Sequence, residues 1–144
     1  MEFKVRWSLE QDEDEWPPYS VESIWCVRME GHHFKLINVP YFAKDVAWGD
    51  VVSANGDDEG WWFERVVQRS GYATVHISSF DAEKTQRLLD WCKANAGILE
   101  TAFNGKYFAL GIPPAVAQAD WMAFLQGLEC SGENAFEFEV ACHG

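Results

Sequence analysis

The sequence has few basic residues for its length, and it has no long hydrophobic run. Lys and Arg together number 11 against 23 Asp and Glu, which gives a formal net charge of −12. Nucleic-acid backbones and anionic membranes are bound mainly through Lys and Arg, so this composition argues against both as partners. The partner that the charge favours is a basic protein.

Segments that would direct the chain to a membrane are also lacking. No apolar stretch approaches the roughly 18 residues of a membrane-spanning helix, and residues 1–10 lack the apolar centre of a signal peptide. We therefore predict a cytoplasmic protein. The four cysteines lie far apart without a CxxC pair, and in a reducing compartment we expect buried free thiols at these positions: Cys26, Cys92, Cys130 and Cys142.

Motifs of catalysis and metal binding are absent from the sequence. It has no G-x-S-x-G turn, no phosphate-binding glycine loop and no catalytic-cysteine signature. His32 and His33 are adjacent, so on a strand they would point to opposite faces, and we expect exposed turn residues. The acidic residues 57–59 lack the ligand spacing of a calcium loop. We predict no catalytic residue, no metal site, no cofactor and no enzymatic activity.

Two further polar positions have structural interpretations. His76 alternates with apolar neighbours on a predicted strand, and we expect it at the surface or facing a partner. Arg65 lies mid-strand, where we expect it to form a buried pair with Asp50, because buried charges are usually paired.

Residues 1–70 predict a small all-β domain. Apolar and polar residues alternate over residues 3–9, as in a half-buried strand. Four more strands are predicted at residues 22–29, 34–39, 51–54 and 61–68, the last two joined by a turn at 55–60. Five short strands with tight turns indicate a bent sheet or a barrel.

Residues 71–144 predict a second domain, which makes the chain α+β overall. Ser79 or Asp81 caps the first helix, Gly97 ends it, and Asn104-Gly105 is a hairpin turn. The order β-α-β-β-α-β is that of the ferredoxin-like fold. The predicted elements are strand 72–79, helix 82–96, strands 98–103 and 106–112, helix 115–128 after Pro113-Pro114, and strand 136–141.

Three short motifs lie in the first half of the chain and at its boundary. They are WPP at 16–18 with Glu22 and Trp25, NVPYFA at 38–43 followed by GDVV at 49–52, and WFERVV at 62–67 followed by Ser70-Gly71. Together they resemble the bacterial family called domain of unknown function 4265. The resemblance implies a small bacterial cytoplasmic protein without an established activity, and it supplies no catalytic residue.

The strongest functional signal is the combination of negative charge with many large aromatic residues. The chain has a formal net charge of −12 and eight tryptophans. Trp7, Trp25, Trp91 and Trp121 fall at positions predicted to be core, whereas the other four lie at turns or strand starts. Large rings dominate interface energetics, and complementary charge selects partners. The candidate partner-binding residues are Asp12, Glu13, Asp14, Glu15 and Trp16, followed by Asp57, Asp58, Glu59 and Trp61.

These features lead to a non-catalytic interaction protein as the first hypothesis. Its sharpest form is an immunity or antitoxin-type inhibitor that occludes a basic toxin. The charge alone also fits simple solubility. A regulatory module with a small-molecule pocket between the two halves is the main alternative, and an enzyme would require titratable groups clustered in a cleft. The sequence leaves the oligomeric state open.

Overall fold

The computed structural model describes residues 1–57, 59–130 and 135–144. Within these ranges the chain is α+β and mostly sheet, as predicted. The elements are β1 Glu2–Ser8, β2 Val21–Arg28, β3 His33–Leu36, β4 Val51–Asp57, β5 Gly60–Gln68, β6 Ala73–Ser79, α1 Ala82–Ala94, β7 Ile98–Ala102, β8 Tyr107–Ile112, α2 Gln118–Cys130 and β9 Phe136–Cys142.

The first five strands close into a barrel in the order β1-β2-β3-β4-β5, which confirms the predicted barrel. The neighbours are antiparallel except at the closure, where β1 and β5 run parallel and pair Val5 with Trp61. Alternate side chains point inward because successive residues of a strand face opposite sides. The barrel core includes Trp7, Ile24, Phe34 and Val52.

Alternation places Trp25 differently from the prediction. Ile24 and Cys26 of β2 point into the barrel, so Trp25 between them points outward and is 44% exposed. Its ring lies under the Lys4 ammonium, 5.0 Å from Nζ. The expectation of a core Trp25 was therefore wrong. The β4–β5 turn is shorter than predicted, since β4 continues to Asp57 and β5 begins at Gly60.

The last four strands form a second sheet in the order β7-β8-β6-β9, with antiparallel neighbours throughout. Both helices cover one face of this sheet. Leu88 of α1 and Trp121, Leu125 and Leu128 of α2 pack with strand residues such as Ile77 in one core. The α2 residues lie at i, i+4 and i+7, which is one face of a helix.

The helix ends follow the predicted signals in part. Asp81 caps α1, since its Oδ1 accepts a hydrogen bond from the Lys84 amide at 2.9 Å. Ala96, with φ of +55°, takes the left-handed position after α1 that was expected of Gly97. Helix α2 begins at Gln118 rather than 115. A turn precedes it, in which the Val116 amide donates to the Pro113 carbonyl at 3.1 Å.

Residues 37–50 connect β3 to β4 and lie across the face of the second sheet that the helices leave open. Thr74 Oγ1 donates to the Val46 carbonyl at 3.0 Å, and the Asp45 amide donates to the Ala141 carbonyl at 2.7 Å. This connecting segment therefore joins the barrel to the second sheet. The division into domains 1–70 and 71–144 stays a prediction. Among the described residues, no helix is long and apolar enough to cross a membrane.

Candidate binding cleft between the two sheets

A cleft of about 1020 Å³ opens between the barrel and the second sheet. On the barrel side, its walls come from β1, β5 and the acidic loop, which is the loop between β1 and β2 that contains residues 12–15. The connecting segment 37–50 and strands β6, β8 and β9 form the remaining walls. The lining residues are Trp7, Ser8, Leu9, Glu10, Gln11, Asp12, Trp16, Pro17, Phe42, Ala43, Lys44, Asp45, Trp62, Phe63, His76, Ser78, Tyr107, Glu137, Phe138 and Glu139.

Aromatic rings form much of the cleft wall. Trp7 stacks on Phe63 with ring centroids 4.8 Å apart. Trp16, which is 43% exposed, meets the edge or face of Phe42 at 5.7 Å and Tyr107 at 5.6 Å. Such pairs hold rings at fixed angles and stabilise one another beyond simple burial. Trp16 is therefore a fixed ring with an accessible surface.

Carboxylates outnumber cations along the same walls. Five acidic residues line the cleft, whereas Lys44 is the one lysine or arginine among the lining residues. Lys44 Nζ lies 2.6 Å from Glu139 Oε1, and both side chains are more than half exposed. Glu137 and Glu139 share the sheet face opposite Phe136 and Phe138 because of strand alternation. The acidic lining residues are Glu10, Asp12, Asp45, Glu137 and Glu139.

Buried Glu22 holds one wall of the cleft in place. It points inward from β2, and its carboxylate accepts three backbone hydrogen bonds, from the amides of Tyr41 at 2.6 Å, Phe42 at 2.9 Å and Ala43 at 2.8 Å. Burial raises the pKa of Glu22 in spite of these three donors. The carboxylate therefore fixes the backbone beside Lys44.

Glu100 of β7 holds the same segment from the second sheet. Its carboxylate accepts hydrogen bonds from the Val39 amide and, at 3.3 Å, from Asn38 Nδ2. Burial raises the pKa of Glu100, and these two donors partly offset that effect. Carboxylates from both sheets thus bind backbone amides of this segment, Glu100 that of Val39 and Glu22 those of residues 41–43.

His76 and Tyr107 also line the cleft. The expectation of a surface-exposed His76 was wrong. His76 is 8% exposed because residues 37–50 cover its face of the sheet. Its Nε2–H donates to the Pro40 carbonyl at 2.9 Å, and Tyr107 Oη donates to the Tyr41 carbonyl at 2.5 Å. Burial lowers the pKa of His76 and raises that of Tyr107.

The ion pair of Asp50 involves a different arginine from the one predicted. Asp50 is buried and accepts hydrogen bonds from the amides of Ala47 at 3.0 Å and Ser70 at 2.8 Å. Its ion-pair partner is Arg69, with Nη1 3.5 Å from Oδ2. Arg65 is exposed, and its Nη1 lies 3.5 Å from Ser53 Oγ. The predicted Arg65–Asp50 pair was therefore wrong.

The predicted acidic site lies partly in the cleft. Asp12 and Trp16 are both lining residues, and Asp12 Oδ1 accepts hydrogen bonds from the amides of Asp14 at 2.9 Å and Trp16 at 3.0 Å. This arrangement fixes the loop and presents the Trp16 ring. Glu13, Asp14 and Glu15 are exposed outside the lining set.

The second predicted group is not brought together as a surface. Asp57 and Glu59 are exposed at the β4–β5 hairpin and do not line the cleft, and Asp58 lies outside the described residues. Trp61 is only 4% exposed, because alternation along β5 turns it into the barrel. Trp62, its neighbour, is 39% exposed and lines the cleft. The choice of Trp61 as a contact residue was wrong.

Sequence reasoning missed the lining carboxylates of β9 and the lysine facing them. The alternation of Glu137 and Glu139 with Phe136 and Phe138 was a usable signal for a polar sheet face. Lys44 and the buried Glu22 had no such signal, because their roles depend on the path of residues 37–50 over the second sheet.

Potential metal ligands do not cluster in the part of the chain that the structure describes. No three His, Cys, Asp or Glu residues there are placed to hold a metal ion. His32 is exposed at a turn, and its ring contacts Trp61 edge-on at 5.1 Å. Three cysteines are buried as predicted, whereas Cys130 is exposed at the end of α2.

Similarity to known proteins identifies the fold and the family of this chain. None of the curated proteins compared with the chain matches it significantly. A solved structure described as "Novel crystal structure of a hypothetical protein from Neisseria gonorrhoeae" is similar, with a TM-score of 0.81 and 21% identity over 100% of this chain and 96% of that one. This likeness shows the fold alone. The family model described as "Domain of unknown function (DUF4265)" matches residues 22–136, and the chain belongs to that family.

Proposed function

We propose that this protein is a non-catalytic binding module whose cleft accepts a cationic side chain of a basic protein partner. The observation that carries the proposal is the lining of the cleft, which includes five acidic residues and three tryptophans but one lysine and no arginine. Charges of one sign within a concave surface focus their potential and draw the opposite charge inward.

The tryptophans suit the same ligand. Trp16 and Trp62 both line the cleft and are 43% and 39% exposed, so their rings keep accessible surface. The Trp62 ring already has one cation near it, since the Arg6 guanidinium lies 5.8 Å from its centroid. A lysine or arginine over the face of a tryptophan is attracted by the negative face of the ring, and Trp is the strongest of the aromatic residues in this interaction. A carboxylate beside the ring adds a charge-assisted hydrogen bond.

The finer form of the proposal is an immunity or antitoxin-type inhibitor that acts in the cytoplasm on a basic toxin. The net charge of −12 supports it, because opposite charges speed association and select partners. The second candidate is a regulatory module for a small organic cation. The cleft favours it in one respect, since its volume is near the upper end of the roughly 300–1,000 Å³ of ligand pockets.

The second sheet also has a proposed fold assignment. We propose that residues 71–144 are ferredoxin-like, supported by the β-α-β-β-α-β order and the strand order β7-β8-β6-β9. In this arrangement one sheet face is covered by helices, and the other is left for the connecting segment and the cleft.

Tryptophan fluorescence titration with tetralysine, tetraarginine and tetraglutamate tests the proposal. We expect saturable binding of the basic peptides only, weakened by salt because the contacts are exposed charges. The Glu137→Gln/Glu139→Gln variant is expected to bind about 3- to 10-fold more weakly. A matched Glu2→Gln/Glu30→Gln variant removes two exposed carboxylates outside the cleft and should bind like the wild type. Equal losses in both variants would show general charge attraction and contradict a cleft site.

A further inference from the structure

Resting on the proposed function, we infer that Lys44 occupies the place that the partner's cation takes, and that it competes with the partner for Glu139. Lys44 is the one lysine among the lining residues, which include no arginine. Its Nζ already makes the contact expected of an incoming ammonium, at 2.6 Å from Glu139 Oε1.

The surroundings of Lys44 separate a fixed backbone from a movable ammonium group. The Ala43 amide donates to Glu22 at 2.8 Å, and the Asp45 amide donates to the Ala141 carbonyl at 2.7 Å. Hydrogen bonds to β2 on one side and to β9 on the other therefore hold the main chain of Lys44. The side chain itself is 62% exposed, so it can leave Glu139 without moving the cleft wall.

The Lys44–Glu139 ion pair contributes little to the stability of the fold, so an incoming cation can replace Lys44 at Glu139. Glu139 is 60% exposed, and exposed ion pairs contribute little to stability because water and salt screen them. Glu137 lies two residues away on the same sheet face, and among the described residues it has no ion-pair partner. A cation that enters the cleft thus finds one open carboxylate and one that Lys44 must release.

Lys44→Gln tests the inference because glutamine keeps a polar side chain and removes the competing charge. We expect this variant to bind tetralysine about 3- to 10-fold more tightly than the wild type. Lys44→Arg retains the charge and should bind like the wild type. Lys35→Gln is the matched control: it removes one exposed lysine on β3 outside the cleft, and it should change affinity less than twofold.

The outcomes distinguish this inference from the proposed function. If the wild type binds tetralysine and Lys44→Gln gains no more than Lys35→Gln, the competition is refuted while the cleft proposal stands. If no variant binds any basic peptide, the proposed function itself fails. Titration with spermidine separates the source of the cation, since a gain for spermidine without one for tetralysine contradicts a protein side chain as the ligand. Thermal melting within about 2 °C of the wild type shows that the variant is folded.

Discussion

Glu22→Gln is the sharpest test of how the cleft wall is held. The carboxylate of Glu22 accepts hydrogen bonds from three consecutive amides, those of Tyr41, Phe42 and Ala43. An amide side chain has one oxygen, so it can serve the two amides at Oε1 but presents an N–H to the third. One buried N–H then loses its acceptor and faces another donor.

The expected loss of stability follows from that count. An unsatisfied buried donor costs about 1–3 kcal/mol. The neutral amide recovers part of the desolvation that raises the pKa of Glu22, so we take a net loss of about 2 kcal/mol. For a chain of this size such a loss corresponds to a melting temperature lower by about 4–8 °C.

Urea and thermal denaturation followed by circular dichroism measure this loss. Glu2→Gln is the control, because Glu2 is exposed and its change should stay within about 0.5 kcal/mol. If Glu22→Gln also changed the free energy of unfolding by less than about 0.5 kcal/mol, the three hydrogen bonds would not be what holds the segment.

Two further predictions concern pH and thiol reactivity. The folded pKa of His76 is depressed from 6.5, so the unfolded chain binds a proton that the folded chain does not, and stability should fall as the pH drops below about 6.5. In urea denaturation from pH 7.5 to 5.0, His76→Gln should show a weaker decline than the wild type, and equal slopes would contradict the assignment. Among four cysteines, Cys130 alone should react rapidly with a thiol reagent in the native protein, since the others are buried and burial raises the pKa of Cys26 to about 12. A second fast thiol would be inconsistent with the structure.

Local signals predicted most of the elements. Strand alternation identified the barrel strands, Asp81 marked the start of α1, and Asn104-Gly105 formed the predicted turn between β7 and β8, where both residues have positive φ. Each of these signals depends on a few neighbouring residues. These elements can therefore be predicted without knowledge of the tertiary structure.

The errors share a different physical origin. Alternation groups Trp25 with one strand face and Ile24 with the other, but it does not say which face is buried. The same ambiguity put Trp61 rather than Trp62 at the surface. The position of His76 depended on residues 37–50 crossing its sheet face, which is a contact between residues 36 positions apart. The acidic loop contributed Asp12 and Trp16 to the cleft, whereas Glu137 and Glu139 joined them only through the fold.

Residues 37–50 lie between two barrel strands in chain order, yet Glu22 of the barrel and Glu100 of the second sheet both bind their amides. A cut near residue 70 would leave the Val39 amide without its carboxylate and the carbonyls of Pro40 and Tyr41 without their donors. The predicted boundary near residue 70 therefore divides the sequence, but hydrogen bonds that hold residues 37–50 cross it. The segment couples the two sheets, so a change that loosens one of them is passed to the shape of the cleft.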